Sequence, residues 1–226
     1  MKTIIPPEIF YPESDGKPMA ESDLHRDWMF CIIGRLQRYY AGQRVYVSGN
    51  LLIYYVEGDP SRCFAPDTFV VKDCDPRRRK VFKIWEEKKV PNAIWEATSA
   101  STRREDLVTK MRLYAQLGVQ EYFLYDPLGE WLDPPLLGFV LNGNGYIPLE
   151  PDAHGCIFSE QLGLTLLLED GKLAMFETAT GKRLLSDAEY ADEMKHKLAE
   201  EAQARKALEE ELARLKASQV RQTGDA

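Results

Sequence analysis

The stretch from residue 93 to residue 125 constrains the fold of this chain more than any other. It opens with the apolar run Ala93–Trp95 and passes through a polar turn into a segment with helical periodicity that ends at Gly118. The apolar side of that segment carries Leu107, Met111, Tyr114 and Leu117. A second apolar run, Tyr122–Tyr125, follows. A strand, a helix and a strand in this order predict an α/β or α+β sheet with a helix packed on one face.

Further elements are predicted on both sides of this unit. Residues 22–40 have helical periodicity with Ser22 as a plausible N-cap. Residues 45–47 and 51–56 are predicted as strands around the turn-like tripeptide Ser48-Gly49-Asn50, and a third strand follows Asp67. Short apolar runs separated by Gly, Asn and Pro over residues 131–182 are typical of an antiparallel meander.

Changes of composition divide the chain into three parts. Residues 1–20 are rich in proline and predict an N-terminal arm, and residues 21–186 form the predicted globular domain. Residues 187–226 are rich in Ala, Glu, Lys, Arg and Leu and predict a charged helical tail. The heptad a and d positions of this tail hold Met194, Leu198, Leu208, Leu212 and Leu215, but also Glu201 and Arg205. The tail is therefore either an imperfect coiled coil, pairing with itself or another chain, or a lone solvated helix.

Two carboxylates and one lysine are the candidate catalytic residues. Asp67 precedes one apolar run, Glu96 ends another, and Lys110 lies one helical turn after Asp106. Carboxylate oxygens bind hard divalent cations, and an ammonium can steer an attacking water, so this set predicts a phosphodiester-cleaving site. The competing interpretations are a turn-capping role for Asp67, a solvent-facing Glu96 on an edge strand, and an intrahelical ion pair between Lys110 and Asp106.

Charge is distributed unevenly along the chain. The net charge of −7 argues against a protein that coats nucleic acid without specificity. Residues 77–112, however, contain eleven Lys and Arg against five Asp and Glu. A basic segment around Glu96 suits a polyanionic substrate, although a chance cluster on a solvated surface is the alternative.

The remaining features favour a cytoplasmic protein. The four cysteines have no metal-finger spacing, and free thiols in a reducing compartment are expected. Prolines interrupt the N-terminus before a signal sequence could form, and no apolar run is long enough to span a bilayer. No membrane association is expected.

Three separated blocks resemble a known family. They are APDTFVV around Asp67, EATSASTRREDLVTK from Glu96 to Lys110, and YAQLGVQEYFLYDP from Tyr114 to Pro127. Their order and content resemble the Uma-type restriction endonuclease family, a branch of the PD-(D/E)xK nuclease superfamily. The resemblance covers roughly residues 20–170 and leaves out the helical tail.

The resemblance implies a restriction-endonuclease-like central mixed β-sheet flanked by helices, with Asp67 and Glu96 as metal ligands on adjacent strands. It also implies that the backbone carbonyl of Ala97 completes the shell of a Mg²⁺ or Mn²⁺ ion. The superfamily lysine would fall at Thr98, which cannot supply a positive charge. In this family the lysine has moved to the following helix, which here gives Lys110.

Other residues are candidates for accessory roles. The first helix of related nucleases can lend a polar residue to the metal site, which points to His25, while a structural histidine is the alternative. Asp106 is a candidate to orient Lys110. Helix N-termini attract anions, so the segment that feeds the predicted helix is a candidate for phosphate contact, with plain helix capping as the alternative. Its candidate residues are Ser99, Ser101, Thr102, Arg103 and Arg104.

The resulting functional hypothesis is a divalent-metal-dependent endonuclease that hydrolyses DNA phosphodiester bonds, acting as a homodimer aided by the tail helix. The alternative is a catalytically weak or inactive nuclease fold that serves as a DNA-binding or assembly module through the tail. The overall acidity and the threonine at position 98 favour that alternative.

Overall fold

The structure, a computed structural model, describes residues 9–14 and 23–224, with side chains described as far as residue 214. The chain divides into two compact units, Met1–Leu184 and Leu185–Ala226. Most of the predicted N-terminal arm, and the predicted N-cap Ser22, lie outside the described residues. None of the described helices is long and apolar enough to cross a membrane.

The elements of the first unit follow one another as α1 (Asp23–Tyr39), β1 (Val45–Ser48), β2 (Ile53–Tyr54), β3 (Cys63–Phe64), β4 (Thr68–Lys72), β5 (Phe82–Lys83), α2 (Ile84–Glu87), β6 (Ala93–Ala97), a π-helical segment (Glu105–Lys110), α3 (Met111–Leu117), β7 (Glu121–Tyr125), β8 (Leu136–Asn142), β9 (Gly145–Pro148), β10 (Ile157–Ser159), β11 (Leu164–Glu169) and β12 (Lys172–Glu177). The second unit is formed by α4 (Asp187–Gly224).

The central sheet has six strands in the order β1-β4-β6-β7-β8-β9. β6 and β7 run parallel, because the π-helical segment and α3 connect them as a crossover, and the other neighbouring pairs are antiparallel. The predicted mixed sheet and the strand-helix-strand unit are therefore confirmed. Gly118 ends α3 in the left-handed conformation, as its position after the last apolar helical residue predicts.

Both faces of the central sheet are covered, which explains why every residue of β6 and β7 is buried. Successive side chains of a strand point to opposite faces. One face therefore packs Ala93, Trp95 and Phe123 against α1, and β10, β11 and β12 add apolar residues to the same core. The opposite face packs Ile94 and Tyr122 against the crossover helix.

The predicted strands around Ser48-Gly49-Asn50 do not pair with each other. β1 pairs with β4 in the central sheet, whereas β2 lies between β3 and β5 in a separate three-stranded sheet. After β1 the Asn50 amide donates to the carbonyl of Pro66, sixteen residues later in the chain, and the backbone leaves the central sheet at this point. The predicted meander forms as two antiparallel groups, β8-β9 and β10-β11-β12.

The second unit confirms the predicted long C-terminal helix. A capping box begins α4: the Ser186 hydroxyl accepts from the Glu189 amide at 3.2 Å, and the Glu189 carboxylate accepts from the Ser186 amide at 2.6 Å. The coiled-coil pairing of this helix stays a prediction.

Glu121 is a buried carboxyl group at the start of β7. It lies at the end of the sheet where β6 and β7 begin, away from Glu96 near the end of β6. It accepts from the Ser159 hydroxyl and, at 3.0 Å, from the Gln161 amide. Burial raises the pKa of Glu121 above its ordinary value, and these hydrogen bonds oppose the shift without cancelling it.

The raised pKa of Glu121 predicts a defined pH dependence of stability. The folded state holds the proton more tightly than the unfolded chain, so this contribution to stability is present below the unfolded pKa and lost as the pH rises through the folded pKa. We expect the free energy of unfolding of the wild type, minus that of Glu121→Gln, to fall as the pH rises from about 4. Urea denaturation of both proteins across this range measures the difference, and a flat or rising difference would contradict the prediction.

Candidate active site

Asp67 lies directly before β4 and contacts β6 and α1. Its Oδ2 accepts from the Ala97 amide at 2.6 Å, and its Oδ1 lies 3.1 Å from His25 Nε2. The Asp67 amide also faces Glu96, at 3.4 Å from Oε2. The structure therefore brings together Asp67, Glu96 and the predicted accessory residue His25.

Glu96 points into the protein from the middle of the sheet. Alternation along β6 places its side chain on the face covered by the crossover helix, where only 1% of it is exposed. Its Oε1 accepts from the Tyr114 hydroxyl at 2.6 Å, and its Oε2 lies 3.0 Å from Lys110 Nζ. A solvent-facing Glu96 on an edge strand is excluded, because β6 lies between β4 and β7.

Lys110 ends the π-helical segment and bridges two carboxylates. Its Nζ lies 2.9 Å from Asp106 Oδ1 as well as 3.0 Å from Glu96 Oε2. The intrahelical ion pair and the contact with the second carboxylate therefore occur together. The Tyr122 hydroxyl donates to the Asp106 carbonyl at 3.1 Å and ties this segment to β7. π-helical turns are rare and are frequent at functional sites.

Burial controls the electrostatics of this cluster. The pKa of Glu96 is raised to about 8, mainly by desolvation; the Lys110 ammonium opposes this rise, and the nearby carboxylates of Asp67 and Asp106 add to it. Desolvation likewise raises the pKa of Asp106 despite Lys110. Burial alone would lower the pKa of Lys110, but Glu96 and Asp106 outweigh this effect and raise it above its ordinary value. Lys110 is therefore held as an ammonium.

The donor set at the end of β6 fits a hard divalent cation. Three carboxyl groups face one lysine at this site, and because the pKa values of Glu96 and Asp106 are raised, a cation would bind there in exchange for a proton. Amide and carbonyl of one strand residue point to the same side, so the Ala97 carbonyl lies on the Asp67 side, as its amide does. Within the described residues, no group of three or more His, Cys, Asp and Glu side chains could hold a metal ion. A metal here would use two carboxylates and a carbonyl, which is sufficient for Mg²⁺, since it keeps several waters.

The predicted phosphate segment follows β6 directly. The Ser99 amide donates to Thr102 Oγ1 at 3.0 Å, and the Ser99 hydroxyl lies 3.1 Å from the hydroxyls of Ser101 and Thr102. Arg103 and Arg104 are exposed on the first helical turn. These hydroxyls stabilise the turn, and the two arginines follow it in the chain as exposed residues.

Two residues that the sequence analysis did not assign to the site take part in its geometry. Helical periodicity predicts Tyr114 only as an apolar helix residue, but its hydroxyl donates to Glu96. Gly49 lies so close to Asp67 that a Cβ atom added to it would come within 1.9 Å of the Asp67 carbonyl oxygen. The turn-like tripeptide around Gly49 was visible in the sequence, but its contact with Asp67 was not.

The first unit therefore contains a mixed sheet with helices on its faces, and two carboxyl groups and a helical lysine meet at one end of it. The Uma2 family, described as "Putative restriction endonuclease", matches residues 6–171, and the chain belongs to this family. A solved structure that resembles this chain is that of "a putative nuclease belonging to DUF820" from Anabaena variabilis ATCC 29413. The two share 20% sequence identity over 65% of this chain and 76% of that chain, with a TM-score of 0.46. No curated protein sequence matches the chain.

The Tyr114 hydroxyl is expected to tune the ionisation of Glu96. Tyr114→Phe removes a donor to a buried carboxylate, so the pKa of Glu96 should rise above about 8 and stability should fall by about 1–3 kcal/mol. Carbon-13 NMR titration of the Glu96 carboxyl and urea denaturation measure the two effects. Tyr146→Phe is the matched control, because its hydroxyl donates to the Val119 carbonyl at 2.8 Å outside the site. An equal effect of both variants on Glu96 would contradict the prediction.

Gly49→Ala should displace Asp67. The added methyl would meet the Asp67 carbonyl oxygen at 1.9 Å and the Cδ1 atom of Ile33 at 2.7 Å, so the backbone must shift. We expect a loss of roughly 1–3 kcal/mol in the free energy of unfolding, as for overpacking in a core. Gly145→Ala is the control, since its Cβ would meet nothing within 4 Å. Equal stability of the two variants in urea denaturation would show that the approach of Gly49 to Asp67 is not tight.

Proposed function

We propose that this protein is a divalent-metal-dependent endonuclease that hydrolyses DNA phosphodiester bonds, with Asp67, Glu96 and Lys110 as its catalytic residues. The observation that carries the proposal is the position of Lys110 Nζ, 3.0 Å from Glu96 Oε2. A lysine on the crossover helix thus lies beside the second carboxylate even though Thr98 occupies the usual strand position. Membership of the Uma2 family supports the same chemistry.

Asp67, Glu96 and the Ala97 carbonyl would hold the metal, which is Mg²⁺ or Mn²⁺. When bound, the ion supplies positive charge that stabilises the phosphoryl transition state and the departing oxygen. The Ala97 amide holds Asp67 Oδ2, and the Tyr114 hydroxyl holds Glu96 Oε1. These two hydrogen bonds fix the rotation of both carboxylates.

Lys110 orients the attacking water and stabilises negative charge on the phosphate. Its pKa is raised by Glu96 and Asp106, so the side chain stays protonated at neutral pH and is not suited to accept a proton. Asp106 orients the ammonium toward Glu96 from the preceding helical turn. His25, beside Asp67 Oδ1, is the accessory residue that α1 contributes.

The DNA backbone would approach along the segment that follows β6. Arg103 and Arg104 are exposed there and can neutralise phosphates, while Ser99, Ser101 and Thr102 offer hydroxyls around the first turn of the helix. A homodimer would present two such sites to the two strands of a duplex.

Cleavage of supercoiled plasmid DNA in MgCl₂ tests the catalytic assignment. Asp67→Ala and Lys110→Met should each lower the cleavage rate by at least about a hundredfold, the usual scale for loss of a group that stabilises the transition state. Lys182→Met removes the same charge from an exposed position and should retain the wild-type rate. Chelation of the metal with EDTA should abolish cleavage by the wild type.

Equal cleavage by the wild type, Asp67→Ala and Lys110→Met would refute the proposed site. A wild type that binds DNA but does not cleave it with either Mg²⁺ or Mn²⁺ would favour an inactive nuclease fold that serves as a DNA-binding or assembly module.

A further inference from the structure

The helix α4 carries an exposed apolar seam that is interrupted by two opposite charges. Leu198 and Leu208 are each 66% exposed and Leu212 is 54% exposed. Glu201 and Arg205 lie between them on the same seam, because the seam positions 194, 198, 201, 205, 208 and 212 alternate in steps of four and three residues. A helix with leucines at a and d positions gains most of its stability by pairing.

The seam positions are arranged symmetrically along the helix about the level of Gln203. Reversing the chain direction about that point places Glu201 opposite Arg205, Leu198 opposite Leu208, and Met194 opposite Leu212. In a parallel pair of identical helices, by contrast, Glu201 would face Glu201 and Arg205 would face Arg205. Like charges in the middle of the seam oppose parallel pairing, whereas antiparallel pairing makes two opposite-charge contacts.

The positions that flank the seam have the same symmetry. In an antiparallel pair the e positions face each other, so Lys195 would meet Glu209 of the second copy, and the g positions bring Lys197 to Glu211 of the second copy. The central e and g positions are Ala202 and Ala204, which are small enough for close approach. A parallel pair would set Lys197 opposite Ala202 and Ala204 opposite Glu209, neither of which is a charge contact, and would pair only Glu211 with Lys216 beyond the seam.

The charged side chains on this surface are available for such pairing. Lys195 contacts Asp192 at 3.0 Å and Arg205 contacts Glu209 at 2.9 Å, both within α4 and both strongly exposed. Exposed ion pairs of this kind contribute little to stability, so exchanging them for contacts across an interface costs little.

From this charge complementarity we infer that α4 pairs with α4 of a second copy of this chain in antiparallel orientation, about a two-fold axis at Gln203. The surface comprises the seam from Met194 to Leu212 with its flanking charges. The interaction does not depend on the chemistry of the first unit, so its test is separate from the nuclease assay.

Charge reversal in the full-length protein tests the pairing by analytical ultracentrifugation. Glu201→Arg would place two arginines opposite each other across the interface, and Arg205→Glu would place two glutamates there, so each should raise the dimer dissociation constant by about tenfold or more. The double variant Glu201→Arg/Arg205→Glu restores opposite charges only in the antiparallel arrangement and should recover the wild-type dimer. Glu210→Arg, which makes the same charge change at an outward position of the helix, should not weaken the dimer.

Distances between spin labels decide the orientation. Labels introduced as non-natural amino acids at position 203, an outward position level with the two-fold axis, should show almost no separation along the helix axis, so that only the width of the helix pair, about 20 Å, separates them. Labels at position 213 should be separated by about 30 Å along the axis, at about 1.5 Å per residue. Parallel pairing predicts the same distance at both positions, set by the width of the helix pair alone. A monomeric wild type, a double variant that stays dissociated, or a short distance at position 213 would each overturn the inference.

Discussion

The burial of the Glu96 carboxylate is the constraint on which the rest of the site depends. A carboxylate at the middle of a sheet, covered on its face by a helix, is costly to ionise unless donors and cations surround it. Here Tyr114, Lys110 and the Asp67 amide converge on its two oxygens. The helix that covers this face therefore has to present polar groups at two positions of an otherwise apolar surface. The same helix therefore both covers the sheet with apolar residues and supplies the polar groups that contact Glu96.

The π-helical segment before α3 supplies the charged groups that face Glu96. It contains both Asp106 and Lys110, and the Tyr122 hydroxyl holds its backbone from the neighbouring strand. Lys110 consequently reaches Glu96 from the helix that covers this face of the sheet. The carboxyl oxygens of Asp67 and Glu96 at this end of β6 are the donors proposed for a divalent cation.

Much of this architecture is predictable from the sequence, because local periodicity reports which residues are buried. The strand-helix-strand unit, the mixed sheet and the long C-terminal helix are confirmed. The separated blocks around Asp67 and Glu96 identified the Uma2 family, which matches residues 6–171. Which strands pair with each other is harder to predict from the sequence. The runs on both sides of Gly49 enter different sheets, since that choice depends on a hydrogen bond between Asn50 and Pro66 that no local pattern encodes.

The sequence by itself determined the fold class, the family and the residue types available for chemistry, because each of these follows from local order along the chain. Only the tertiary structure decided which of these side chains meet. Periodicity marks Tyr114 as a core residue but cannot show that its hydroxyl reaches Glu96, eighteen positions earlier in the chain. The same holds for Gly49 against Asp67 and for Lys110 between two carboxylates. Contacts between distant residues depend on how strands and helices pack, and packing is a property of the whole fold.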